Sequence, residues 1–164
     1  MISFLLFLIL FSGCGSEPVI PYEIPENAVS LLTADTSKTW KIARRYNGKA
    51  RMNMEGCFML YRQKFSISGI VTDNNAENTN CGPSLNADWE ITKTEKGNYY
   101  LKLTSADIPD LLNQEEDYTF FKILRLTKDS LTVSFRHKQF GKERVITDYL
   151  VQEDIVVPDR NFHW

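Results

Sequence analysis

Trp89-Glu90-Ile91-Thr92-Lys93, Glu95-Lys96-Gly97-Asn98 and Tyr99-Tyr100-Leu101-Lys102-Leu103-Thr104 form the stretch that decides the fold. Two runs with β-type residues at alternate positions flank a short polar link, and Gly97 supplies the positive φ that such a hairpin needs. The same pattern recurs outward. Phe120 to Thr127 and Leu131 to Lys138 are strands joined at Lys128-Asp129-Ser130, and Val145 to Val151 follows a turn at Phe140-Gly141-Lys142. Upstream, Trp40 and Ile42 alternate with Lys41, Cys57 to Ser66 forms a strand whose first half is apolar on both faces, and Ile70-Val71-Thr72 is a short strand. Helical turns are expected at Pro25 to Leu32 and Ser105 to Asn113. There is no internal repeat and no low-complexity tract. Seven or eight short strands at close spacing predict an all-β barrel or sandwich. Hairpin-like connections favour an up-and-down antiparallel meander over a Greek key, and closure removes edges that invite aggregation.

At the other end of the chain, residues 1–11 are apolar apart from Ser3. A membrane-spanning helix needs about 20 such residues, so the run has the length of a secretory signal peptide. Its ending, Ser12-Gly13-Cys14, resembles the lipobox of bacterial lipoproteins, in which the Cys is lipidated and the chain is cut just before it. The expected organisation is a signal peptide over 1–13, a tether over 14–30 and one domain over 31–164. Pro18, Pro21 and Pro25 bias the tether towards extended conformations. Two or three acyl chains, at roughly 0.8 kcal/mol per buried methylene, hold such a protein on a bilayer. The expected location is the cell envelope, at the outer membrane and facing the periplasm. Gly15-Ser16-Glu17 offers one acidic residue towards a surface-export signal, so surface display stays open.

Charge is nearly balanced, 19 basic against 21 acidic residues, which argues against a nucleic-acid partner. With Cys14 assigned to lipid, Cys57 and Cys81 remain. In an oxidising compartment they are an even pair suited to a disulfide, with two buried thiols as the other reading.

Catalytic signatures are missing: there is no nucleophile elbow, phosphate loop, His-Glu-x-x-His or dinucleotide fingerprint. No catalytic, cofactor or metal residue is assigned. His137 and His163 are the only histidines. His137 shares the phase of Leu131, Val133 and Phe135, which aims it inward if that face is the core. Asp73, Asn75 and Glu77 begin a calcium-loop spacing that fails at Asn78 and Ser84, so a solvated loop is expected. Arg62, Lys64, Arg136, Lys138, Lys142 and Arg144 could share one outer face able to touch anionic groups, but the default reading of Lys and Arg on strand exteriors is that they keep a sheet soluble.

Leu31-Leu32-Thr33 followed by Ser37-Lys38-Thr39-Trp40-Lys41 resembles the opening of the lipocalin-like lipoproteins common in Bacteroidetes. The resemblance continues through Cys57, Tyr61, Phe65, Asp73-Asn74, Cys81, Trp89 with Ile91, and Leu124 through Leu131 to Val133. Lys38 departs from that family's pattern, which has Gly two residues before the Trp. The resemblance implies a small β-barrel on a lipid tether, with Trp40 plugging one end beneath a basic side chain from Arg144 or Arg160. Tyr61, Phe65, Phe135 and His137 are the expected ligand-lining residues. Two functions compete: a monomeric module binding a small apolar or mixed ligand, or a domain docking onto an envelope protein. Trp40, Tyr61, Phe65, Trp89 and Phe135 are large enough to fill much of a barrel, which favours the second; the resemblance favours the first.

Cys14→Ala is expected to move the protein from the membrane fraction to the soluble periplasm and to abolish incorporation of a labelled fatty acid. Equal labelling of wild type and variant would remove the lipid anchor.

Overall fold

The computed structural model describes residues 21–139 and 142–163. A short helix α1 (Ala28–Thr33) leads into β1 (Ser37–Asn47) and a two-residue strand β2 (Ala50–Arg51). A helical turn α2 (Cys57–Leu60) precedes β3 (Gln63–Ser66) and β4 (Ile70–Asp73), with a 3-10 turn at Asn75–Glu77. Then come β5 (Asn86–Lys93), β6 (Tyr99–Thr104), α3 (Ile108–Leu112), β7 (Tyr118–Leu126), β8 (Ser130–Gln139) and β9 (Lys142–Gln152). Every pairing is antiparallel, β3 to β9 follow one another in sequence order, and β1 pairs with both β3 and β9. Eight strands therefore close an up-and-down barrel, and β2 lies beside the far end of β1.

The central hairpin forms as its sequence predicts. Trp89 faces Leu103 and Ile91 faces Leu101 across β5 and β6. Gly97 takes φ +78° in the turn, where its N–H donates to Thr94 O. The expected strand over Cys57 to Ser66 begins only at Gln63. Cys-Phe-Met-Leu is a short apolar run without alternation, and such a run suits a helical turn as well as a strand. Gly56, at φ +48°, turns the chain so that Met59 and Leu60 N–H donate to Gly56 O and Tyr61 N–H donates to Cys57 O.

One end of the barrel is a packed floor. Trp40 is fully buried there and donates its indole N–H to Leu32 O at 3.0 Å, which ties α1 under β1. Phe65 and Trp89 meet edge to face at 5.8 Å, and the Trp89 indole donates to Ser66 O. Residues 21–30, read from sequence as the end of the tether, lie against this floor. The Tyr22 hydroxyl donates to Leu126 O and accepts from Leu126 N–H, while Glu23 accepts from the Tyr99 hydroxyl at 2.8 Å. The segment expected to be a signal peptide, Cys14, and Phe140 and Gly141, where a turn was expected, lie outside the described residues.

The cation over the Trp40 ring is Lys38, at 4.4 Å, not Arg144 or Arg160. Strand alternation places Lys38 and Trp40 on the same face. The Lys38 ammonium also donates to Leu31 O and Lys128 O, and burial holds its pKa below the ordinary range. Arg144 cannot reach it: it lies eight residues from Gln152, the β9 partner of Trp40, roughly 26 Å along the strand. Arg160 spends its guanidinium on the carbonyls of Ile42, Met59 and Phe58. In the tail, Phe162 lies under Arg51 at 4.1 Å and Met54 N–H donates to Asn161 O.

Trp40→Ala should cost about 3–5 kcal/mol through the lost volume alone. In a domain of this size that lowers Tm by roughly 6–20 °C. A melting curve unchanged within about a degree would remove Trp40 from the floor.

Candidate functional site

The other end of the barrel stays open inside. A cavity of about 630 Å³ runs between the inward faces of the strands and beneath α2 and α3. Its inner wall is apolar, with Leu101, Leu103, Leu131, Val133 and Leu150. Strand alternation carries Phe135 and His137 onto the same wall, and Tyr61 and Phe65 line it too. All four residues expected to face a ligand are thus brought together. The large aromatic side chains do not fill the barrel, because Trp40 and Trp89 are spent on the floor.

Nearer the mouth the lining turns polar, and sequence reading missed most of these residues. Arg45 and Asp148 face each other across β1 and β9 and form a two-pronged ion pair, with bonds of 2.6 and 2.5 Å. The pair is largely shielded, with 17 % and 8 % of the side chains exposed. The guanidinium also lies 4.5 Å from the Phe58 ring centre. A β-bulge between Ile42 and Arg44 makes this possible. It shifts the alternation by one residue, so that Arg45 turns in and Arg44 faces solvent. No pattern in the sequence marks that bulge. Asp148 was legible, since it shares the phase of Ile146 and Leu150, as was Asp73, two residues beyond Val71.

Gln63 and Asp73 face each other across β3 and β4 and both line the cavity. Asp73 accepts the backbone N–H of Asn75 at 3.0 Å. Tyr61 stands among these groups. Desolvation pushes its phenol far above the ordinary value, and the carboxylates of Asp73 and Asp148 add to the shift. Among the described residues its hydroxyl has no hydrogen-bond partner.

Two segments without strand pairing roof the mouth, and Cys57 and Cys81 join them by a disulfide. Cys57 and Phe58 on one side, and Cys81, Gly82 and Pro83 on the other, line the cavity. From α3, Ile108, Leu111 and Leu112 complete the roof. The calcium-spacing residues do not converge: no cluster of three or more His, Cys, Asp or Glu side chains suited to a metal occurs among the described residues. The basic residues form no single outer face either. Arg62 pairs with Glu153 and Arg136 with Glu143, while Arg144 faces His137 across the β8–β9 hairpin, in the inward phase at the rim.

A closed up-and-down barrel of eight antiparallel strands, with a plugged floor and an internal cavity under a partial roof, is lipocalin-like in architecture. A solved lipocalin-like protein from Bacteroides uniformis ATCC 8492 aligns over 72 % of this chain and 98 % of its own, at 9 % identity and TM-score 0.47. An uncharacterized protein from Bacteroides eggerthii DSM 20697 aligns over 70 % and 100 %, at 12 % identity and TM-score 0.37. No family model and no curated protein matches the sequence.

The environment of Tyr61 predicts a signature at high pH. The folded state opposes its ionisation, so that contribution to stability is complete below pH 10.0 and is lost as pH rises above it. Lys38 acts in the opposite sense: below 10.5 the unfolded chain holds the extra proton, and stability rises with pH. Comparing wild type with Tyr61→Phe separates the two. Above pH 10 the variant should lose stability less steeply, by up to about 1.4 kcal/mol per pH unit. Parallel denaturation midpoints across that range would contradict this environment for Tyr61.

Proposed function

We propose that this protein is an envelope lipoprotein, tethered through Cys14, whose barrel binds a small ligand with an apolar body and a polar head. The observation that carries this reading is the cavity of about 630 Å³. Its size falls within the range of small-molecule sites, and its lining is mostly apolar with a few convergent polar groups. A domain that served only as an outer docking surface would gain by filling that volume, because an apolar void forfeits packing contacts. Binding is favoured over catalysis, since His137 has no hydrogen-bond partner among the described residues and nothing orients it as a general base.

A neutral apolar fluorophore, N-phenyl-1-naphthylamine, tests the reading. Its emission should rise on addition of the purified protein and saturate at one equivalent. Val133→Trp, which adds volume inside the cavity, should abolish the rise while the circular dichroism spectrum persists. Phe120→Ala, an exposed position on β7, should leave it unchanged. Equal signals from all three proteins would place the fluorophore on the outer surface and remove the internal site.

A further inference from the structure

The polar part of the cavity carries an unbalanced charge. Among the described residues its charged lining side chains are Arg45, Asp73 and Asp148, with the titratable His137 at the mouth, and Arg45 is the only Lys or Arg of that lining. Arg45 is committed to Asp148 through both prongs of its guanidinium and rests on the Phe58 ring. Asp73 has no ion-pair partner among the described residues. The hydrogen bond its carboxylate accepts there comes from the Asn75 N–H to Oδ1, and Asp73 lines the cavity. The neighbouring cation, Arg62, is held by Glu153 and by the carbonyls of Met59, Leu60 and Tyr61. Beside Asp73 stand the unpartnered Tyr61 hydroxyl and the Gln63 side chain, both able to accept a hydrogen bond.

We propose that Asp73, with Tyr61 and Gln63, forms a subsite for an organic ammonium group, and that the ligand is an amphipathic amine. The inference deepens the ligand-binding reading and depends on it. A carboxylate or phosphate head would meet Asp73 with its repulsion unrelieved inside the cavity, because Arg45, the guanidinium of the described lining, is committed to Asp148 and Arg144 stands outside that lining at the rim. A neutral head would leave that carboxylate without a counter-charge. An ammonium group supplies both the missing charge and three donors for three acceptors, while its chain lies along Leu101, Leu103 and Val133. The phenol reinforces the choice: its depressed acidity keeps it neutral, so it serves as an acceptor without adding charge.

The test uses three ligands of equal chain length at pH 7, octylammonium, 1-octanol and octanoate, competing for the bound fluorophore. Octylammonium should displace the probe at roughly tenfold lower concentration than 1-octanol, and octanoate should be the weakest. Asp73→Asn keeps an acceptor for the Asn75 N–H. It should bring octylammonium within about threefold of 1-octanol and leave the value for 1-octanol unchanged, which also reports an intact fold. Octanoate displacing as well as or better than octylammonium, or a preference for the amine that survives Asp73→Asn, would overturn the ammonium subsite and leave ligand binding standing. Failure of all three compounds, or of the probe itself, to bind would overturn both.

Discussion

The barrel depends on one strand serving two partners. β1 gives its first four residues to β3 along one edge and its last eight to β9 along the other, and these pairings turn a meander into a closed ring. A strand that joins two differently inclined neighbours must coil strongly, and a bulge is the usual means, because it adds local twist. The bulge between Ile42 and Arg44 sits just past the point where β1 leaves β3. It closes the ring and also turns the Arg45 guanidinium into the cavity. Closure and polarity of the cavity thus share one cause.

This explains why the fold was more legible than the site. Hairpins are local: Gly97, the Trp89 and Ile91 alternation, and the tight link between Leu126 and Leu131 each carry their geometry within about ten residues. Trp40 was legible through resemblance, but its cation was not. Lys38 occupies the position where the resembled pattern has Gly, and there it takes two carbonyls and the indole face. The turn at Cys57–Leu60 was hidden because four apolar residues without alternation fit either structure, and the choice between them is made by Gly56 and the disulfide.

The Arg45–Asp148 pair poses an energetic question. A shielded ion pair seldom stabilises a fold more than apolar side chains of equal volume would, since desolvating both charges costs about as much as their attraction returns. Breaking such a pair is far more damaging than replacing it whole. Within the barrel, then, the pair is explained less by stability than by what it does to the space. It fixes a polar wall opposite Gln63 and Asp73 and neutralises its own charge, so the remaining electrostatic preference rests with Asp73.

The roof is where this arrangement most needs covalent help. α2 has only four residues and the loop opposite it holds one 3-10 turn, so neither segment can be stable as an isolated element. The apolar groups they present, such as Phe58 and Pro83, face a cavity instead of a packed core and gain little by staying in place. A link across 24 residues removes enough unfolded-state entropy to contribute about 3 kcal/mol. It also limits how far the two segments can separate without opening β3 and β4, which they flank. The floor is held by buried aromatic packing and the roof by a disulfide. That difference follows from the cavity: a domain with a cavity beneath its roof cannot use packed core side chains to hold both ends.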